Sequence, residues 1–116
     1  MRFVDGFEKK IMTIDQAKAI MHAWKITGKT VSFTNGCFDI LHPGHLFSIA
    51  QAAKEADYLV VGLNSDASIK KIKGPDRPIN NTASRAIIIA NLAMVDAVII
   101  FEEDTPHELI SQILPD

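Results

Sequence analysis

Three short runs rich in Val, Ile and Leu, at Val31–Thr34, Tyr58–Leu63 and Ala97–Phe101, are each followed by a segment of helical pattern. Strands that are apolar at consecutive positions are buried on both faces, which requires helices above and below a parallel sheet. The chain therefore reads as α/β, with three strands evident. Helices are expected at Gly44–Ala56, Ala67–Ile72, Thr82–Met94 and Pro106–Leu114. One more precedes the first strand: Thr13 with Gln16 makes a capping box, and Ile14, Ala17, Ile20, Met21 and Trp24 recur at helical spacing towards Ile26. Gly28 closes it. Residues 1–12 are weakly patterned, so the chain divides into a helical extension at 1–28 and a sheet domain at 29–116. Trp24 is read as packing on the sheet or on a second subunit.

The loop behind the first strand carries the chemistry. Gly36-Cys37-Phe38-Asp39-Ile40-Leu41-His42-Pro43-Gly44-His45 leads a buried strand into the start of a helix. Helix-start N–H groups lack intrahelical partners and sit at the positive end of the dipole, so they attract an anion. Gly36 is expected to permit a tight turn and Gly44 to let a phosphate approach the backbone. Pro43 suits the first helical turn. His42 and His45, three apart, share a helical face and can donate to one anion. In an open parallel sheet of Rossmann type, ligands lie beyond the carboxyl ends of the strands, so Asn64-Ser65-Asp66 should border the same cleft. Asn64 and Asp66 either cap the next helix or touch substrate. Asp39 either bonds a substrate hydroxyl or braces its loop.

Lys70-Lys71-Ile72-Lys73-Gly74-Pro75-Asp76-Arg77-Pro78 is the notably basic, glycine- and proline-broken stretch. Lys70 and Lys71 read as solvated. Arg85, at the start of the apolar pattern Ala86–Ala90, either snorkels to solvent or aims at the cleft. His42 and His45 could form a metal pair, but no third or fourth ligand accompanies them at zinc spacing, so no metal site is expected. Cys37 reads as a small side chain filling a turn.

Composition narrows the class. The 116 residues suffice for one domain, and 47% hydrophobic content suffices for one core. A net charge of -2 without a basic run disfavours a nucleic-acid surface. The single cysteine, with no signal peptide and no apolar run of spanning length, points to a cytoplasmic protein rather than a membrane one.

The motif G-x-F-D-x-x-H-x-G-H, together with Asn64–Ser68, Lys73–Pro78, Val95-Asp96 and Phe101–Pro106, resembles a family of nucleotidyltransferases. Within that superfamily these blocks are similar to the adenylyltransferases that form ADP-heptose from D-glycero-β-D-manno-heptose 1-phosphate. The likeness runs from about Lys29 to Asp116. It implies a Rossmann-like nucleotidyltransferase domain over 29–116, with ATP as substrate and Mg²⁺ on its phosphates. It further implies that His42, His45 and Lys73 are catalytic, and that Thr34, Asn35, Gly36, Cys37, Phe38, Gly44, Arg77 and Arg85 hold ATP phosphate. Asp39, Asn64 and Asp66 become the candidate substrate-binding set, and Lys73 with Arg77 would close as a mobile loop over triphosphate. Glycerol phosphate cytidylyltransferases carry an arginine two residues before the Val-Asp pair; Ala93 stands there in this chain.

No nucleophile with an adjacent base is evident, so direct in-line transfer to an already ionised phosphate is expected. Two alternatives stay open: a cytidylyltransferase for glycerol 3-phosphate or a similar alcohol, and a noncatalytic nucleotide-binding module. Relatives of this kind continue into further carboxyl-terminal strands, which appear absent here. The first strand is then expected to keep an open edge, favouring a homo-oligomer such as a dimer through that edge or the amino-terminal helix.

Overall fold

The computed structural model describes residues 6–102, 106–113 and 115. A 3₁₀ turn at Phe7–Lys10 leads into β1 (Ile11–Met12), and then α1 (Ile14–Ile26). The sheet continues with β2 (Val31–Gly36), α2 (Pro43–Lys54) and β3 (Tyr58–Asn64). After β3 come α3 (Asp66–Lys73), α4 (Thr82–Ala90), β4 (Ala97–Phe101) and α5 (His107–Ile113). All pairings are parallel, in the order β1-β4-β3-β2.

The three strands anticipated from the apolar runs are present, and a fourth corrects the count. Ile11 and Met12 pair with Val98 and Ile99. Two residues are too few to show a period, so the strand exists only because distant β4 offers it a ladder. The segment expected to precede the sheet thus supplies one of its edges. β2 forms the other, with β3 as its neighbour among the described strands.

Side chains of successive strand residues point to opposite faces and build two cores. Val60, Ala97, Ile99 and Phe101 pack beneath Ala17 and Met21 of α1 and Leu109 of α5. Leu59, Val61, Leu63 and Val98 face Ile49 of α2 and Ala86, Ile89 and Ala90 of α4. Helix α1 keeps its anticipated ends: Thr13 Oγ1 accepts from Gln16 N at 3.2 Å, Gln16 Oε1 accepts from Thr13 N at 3.0 Å, and Gly28 takes φ +80°. Trp24 stacks on Tyr58 with ring centroids 4.1 Å apart, joining the helix to the start of β3. Register brings Gly36 beside Leu63 and Asn64 beside Phe101, so the loops leaving β2 and β3 emerge at one end of the sheet.

Candidate functional site

At that end lies a cleft of about 440 Å³ between the β2–α2 loop, the start of α2 and the segment after α3. Its walls bring together Thr34, Asn35, Gly36, Cys37, Phe38, Asp39, His45, Lys73 and Arg77 of the expected set. Ile40, Ser48 and Ile49 also line it. Ser48 had a legible signal that went unread, since it lies three residues beyond His45 on the same helical face.

The two histidines are arranged by the helix end itself. His42 is the N-cap of α2, and its Nδ1 accepts from Gly44 N at 3.0 Å. His45 returns the contact, its Nδ1 facing the His42 N–H at 3.4 Å. The rings stack with centroids 3.9 Å apart. With Nδ1 accepting, each neutral ring carries its proton on Nε2, the form that donates to an anion without adding full charge. Burial pushes the His45 pKa below its ordinary value, and the nearby His42 and Lys73 add to the shift, against the Ile40 carbonyl. His45 lines the cleft, whereas His42 stands beside it as cap and stacking partner.

Both glycines matter for space rather than for turn geometry, which corrects the role expected of Gly36. Neither Gly36 nor Gly44 adopts positive φ. A Cβ on Gly44 would lie 2.7 Å from His42 Cε1, so the room beside that backbone is filled by the imidazole. A Cβ on Gly36 would lie 2.9 Å from Phe38 Cζ. The turn falls instead on Phe38, at φ +47°, a costly conformation for a bulky residue. Its ring is wedged over Gly36 and meets His45 edge-on at 5.8 Å.

Arg85 does not reach the cleft. Its side chain is fully buried, and its five N–H groups are all engaged. Nε donates to Asn80 O at 2.9 Å; Nη1 donates to Cys37 O at 2.9 Å and Asn64 O at 2.7 Å. Nη2 donates to Asp66 Oδ1 at 2.8 Å and Thr82 Oγ1 at 3.3 Å. With every donor bonded within the chain, Arg85 ties the segments behind the cleft to one another. Asp66 is its counter-charge: burial raises that carboxyl, and the bond from Arg85 with those from Thr82 outweighs it to give a lowered pKa. Asn64 Nδ2 donates to Ser68 Oγ at 3.0 Å, and Ser65 caps α3. Neither Asn64 nor Asp66 lines the cleft, and neither is the cap of α3: Asp66 pairs with Arg85 and Asn64 with Ser68.

Asp39 lines the cleft but is already bonded. Burial raises its carboxyl, yet N–H groups of Asn80 and Ile79 and the Arg77 guanidinium prevail, leaving the pKa lowered. Lys73 is exposed on the rim, and Arg77, with its side chain 42% exposed, sits 3.2 Å from Asp39. The cleft therefore presents cations and a neutral imidazole, with one carboxylate turned to the Arg77–Asn80 segment. That donor set does not fit a resident Mg²⁺, which favours oxygen ligands from free carboxylates.

The profile of cytidylyltransferase-like proteins matches residues 33–116, which takes in the cleft and every loop that lines it. The chain belongs to the cytidylyltransferase-like family. Among curated relatives, the bifunctional protein HldE of Paramagnetospirillum magneticum is 52% identical over 109 residues, 94% of this chain and 22% of that one. That of Mesorhizobium japonicum is 53% identical over 106 residues, 91% and 21% of the two chains. This cytidylyltransferase-like chain thus spans about a fifth of the length of those relatives. A solved structure, the lipopolysaccharide core biosynthesis protein from Thermoplasma volcanium GSS1, superposes with a TM-score of 0.68 at 32% identity, covering 76% of this chain and 70% of that one. No helix among the described residues is long and apolar enough to cross a membrane.

Proposed function

We propose that this chain carries the adenylyl transfer step that joins ATP to a sugar 1-phosphate, D-glycero-β-D-manno-heptose 1-phosphate, giving ADP-heptose and pyrophosphate. The observation that carries the reading is the cleft in which a neutral His45, the helix α2 N-terminus, Lys73 and Arg77 converge without a nucleophile and base pair. Such a site stabilises anionic charge rather than forming a covalent intermediate. An ionised oxygen of the sugar phosphate attacks the α-phosphorus of ATP. A new P–O bond forms, the α–β bridging bond breaks, and pyrophosphate leaves with the electron pair. No proton need be removed from the nucleophile. His45 donates to the phosphate oxygens, His42 sets the orientation of His45, and Lys73 and Arg77 neutralise the leaving group. Any Mg²⁺ arrives on the triphosphate as part of the substrate.

The sugar is chosen by the likeness of the Asn64–Ser68, Lys73–Pro78 and Phe101–Pro106 blocks to heptose adenylyltransferases, and the name of the Thermoplasma volcanium neighbour, a lipopolysaccharide core biosynthesis protein, supports that choice. Residues 103–105 lie outside the described residues. Residues 29–116 are proposed as the transfer unit, working in the cytoplasm as a homo-oligomer; sedimentation velocity and cell fractionation test those two points. The reaction is tested by pyrophosphate release from ATP with heptose 1-phosphate, beside CTP with glycerol 3-phosphate. Release with the first pair is expected. Equal or faster release with the second overturns the assignment.

A further inference from the structure

Four hydrogen bonds join residue 39 of the phosphate loop to the segment that carries the rim. Asp39 Oδ1 accepts from Asn80 N at 2.7 Å, and Oδ2 accepts from Ile79 N at 2.8 Å and from Arg77 Nη1 at 3.2 Å. In return, Asn80 Nδ2 donates to the Asp39 carbonyl at 2.6 Å. The carboxylate is only 5% exposed, so these are bonds made away from competing water. Asn80 is gripped from its other side as well, its carbonyl accepting from Arg85, which also holds the Cys37 carbonyl. The phosphate loop and the far end of the rim segment are therefore fastened at one point. Between Lys73 and that fastening the chain passes Gly74, at φ +103°, and an exposed stretch, 75–76, whose side chains meet water.

We propose that Asp39 is a positioning residue for the phosphate cleft, anchoring the Arg77–Asn80 segment so that Arg77 faces the entering anion, and that it is not a ligand of the sugar. The inference rests on the reading of the cleft as a phosphate site. It departs from the sugar-binding role because both carboxylate oxygens are occupied by donors of this chain, two of them backbone N–H groups that no substrate could replace without unseating the rim. It also makes a prediction opposite in sign to simple electrostatics. Removing a negative charge beside an anion site strengthens anion binding if that charge merely stands there. If Asp39 is the anchor, removing it weakens binding.

The test uses the whole chain with inorganic pyrophosphate as probe, titrated calorimetrically, and amide hydrogen exchange without ligand. Asp39→Asn keeps the size but turns an N–H₂ towards one backbone donor. The Ile79 and Asn80 amides should then exchange about tenfold faster, while Val60 and Val61 in β3 stay protected and certify the fold. Pyrophosphate should bind about tenfold more weakly. Asn80→Ala, which removes only the bond to the Asp39 carbonyl, should shift both readings the same way by less. In an Arg77→Ala background, Asp39→Asn should cost much less affinity, because the two act through one contact. If the unsubstituted chain fails to bind pyrophosphate, the phosphate reading falls and takes the inference with it. If it binds, and Asp39→Asn binds equally or more tightly or leaves the two amides protected, the inference alone falls.

Discussion

Arg77 and Arg85 stand eight positions apart, yet one lines the cleft with most of its side chain's donors unspent and the other is a buried fastening behind it. Arg85 lies behind the floor, fully buried, every donor bonded to a carbonyl, hydroxyl or carboxylate of a loop or of an element end. Arg77 lies on the rim, with its side chain 42% exposed and one 3.2 Å contact to Asp39. The floor is built by satisfying buried polar groups, so it holds its shape without a ligand. The rim is built from few contacts, so its cations remain available. Charge alone does not mark a phosphate ligand; unspent donors do.

The comparison is broken most directly by Arg85→Met. Leaving Asp66 and the Cys37, Asn64 and Asn80 carbonyls without their donor should cost about 3–5 kcal/mol in urea unfolding, the range for breaking a buried pair. Arg77→Ala in the same assay should cost under about 1 kcal/mol, as expected of a partly exposed pair. Equal losses for the two would erase the distinction between floor and rim.

A smaller free-energy effect is expected where the floor performs chemistry. His45→Asn preserves a helix-compatible polar side chain, so stability should change little, while kcat for pyrophosphate release falls about a hundredfold, the scale of one preorganised donor. Turnover near that of the unsubstituted chain would remove His45 from the chemistry.

The smallest effect is a slope with pH. The folded pKa of His45 lies below its ordinary 6.5, so its neutral form is favoured by folding. That contribution is complete above 6.5 and is lost as pH falls through the folded value, because the unfolded chain takes up its proton first. Stability measured from pH 7 downwards should therefore decline, and His45→Asn should flatten the part of the decline nearest neutrality. Asp39 and Asp66, both held below 3.8, should add a second decline at more acid pH. A rise in stability between pH 7 and 6 in the unsubstituted chain would contradict the first of these signs.

Local devices were legible in the sequence, and partners supplied by distant chain were not. The Thr13–Gln16 box, the Gly28 stop and the apolar strands depend on neighbours within a few residues, and each stands where its pattern placed it. Lys73 and Arg77 line the cleft, a placement that the family resemblance of their stretch implied and its charge alone did not. Arg85 reads in the sequence as snorkelling to solvent or aimed at the cleft and does neither, because its acceptors come from residues 37, 64, 66, 80 and 82, most of which only the sheet topology assembles. Gly36 was expected to serve a turn and Gly44 to make room for phosphate, whereas their neighbours Phe38 and His42 occupy the space that a Cβ would need. β1 left no pattern because its two residues answer to β4 alone.

That last pairing sets an order of events in synthesis. Helix α1 has both its caps within its own residues and can form as soon as it leaves the ribosome. Ile11 and Met12 must wait until Val98 and Ile99 have been made before either can dock. The earliest-made strand is therefore the last one laid, and the sheet closes across nearly the whole chain at the cost of a long loop. Until then Ile11 and Met12 have no ladder to join, and the nascent protein carries an unpaired strand for the time it takes to translate the residues between.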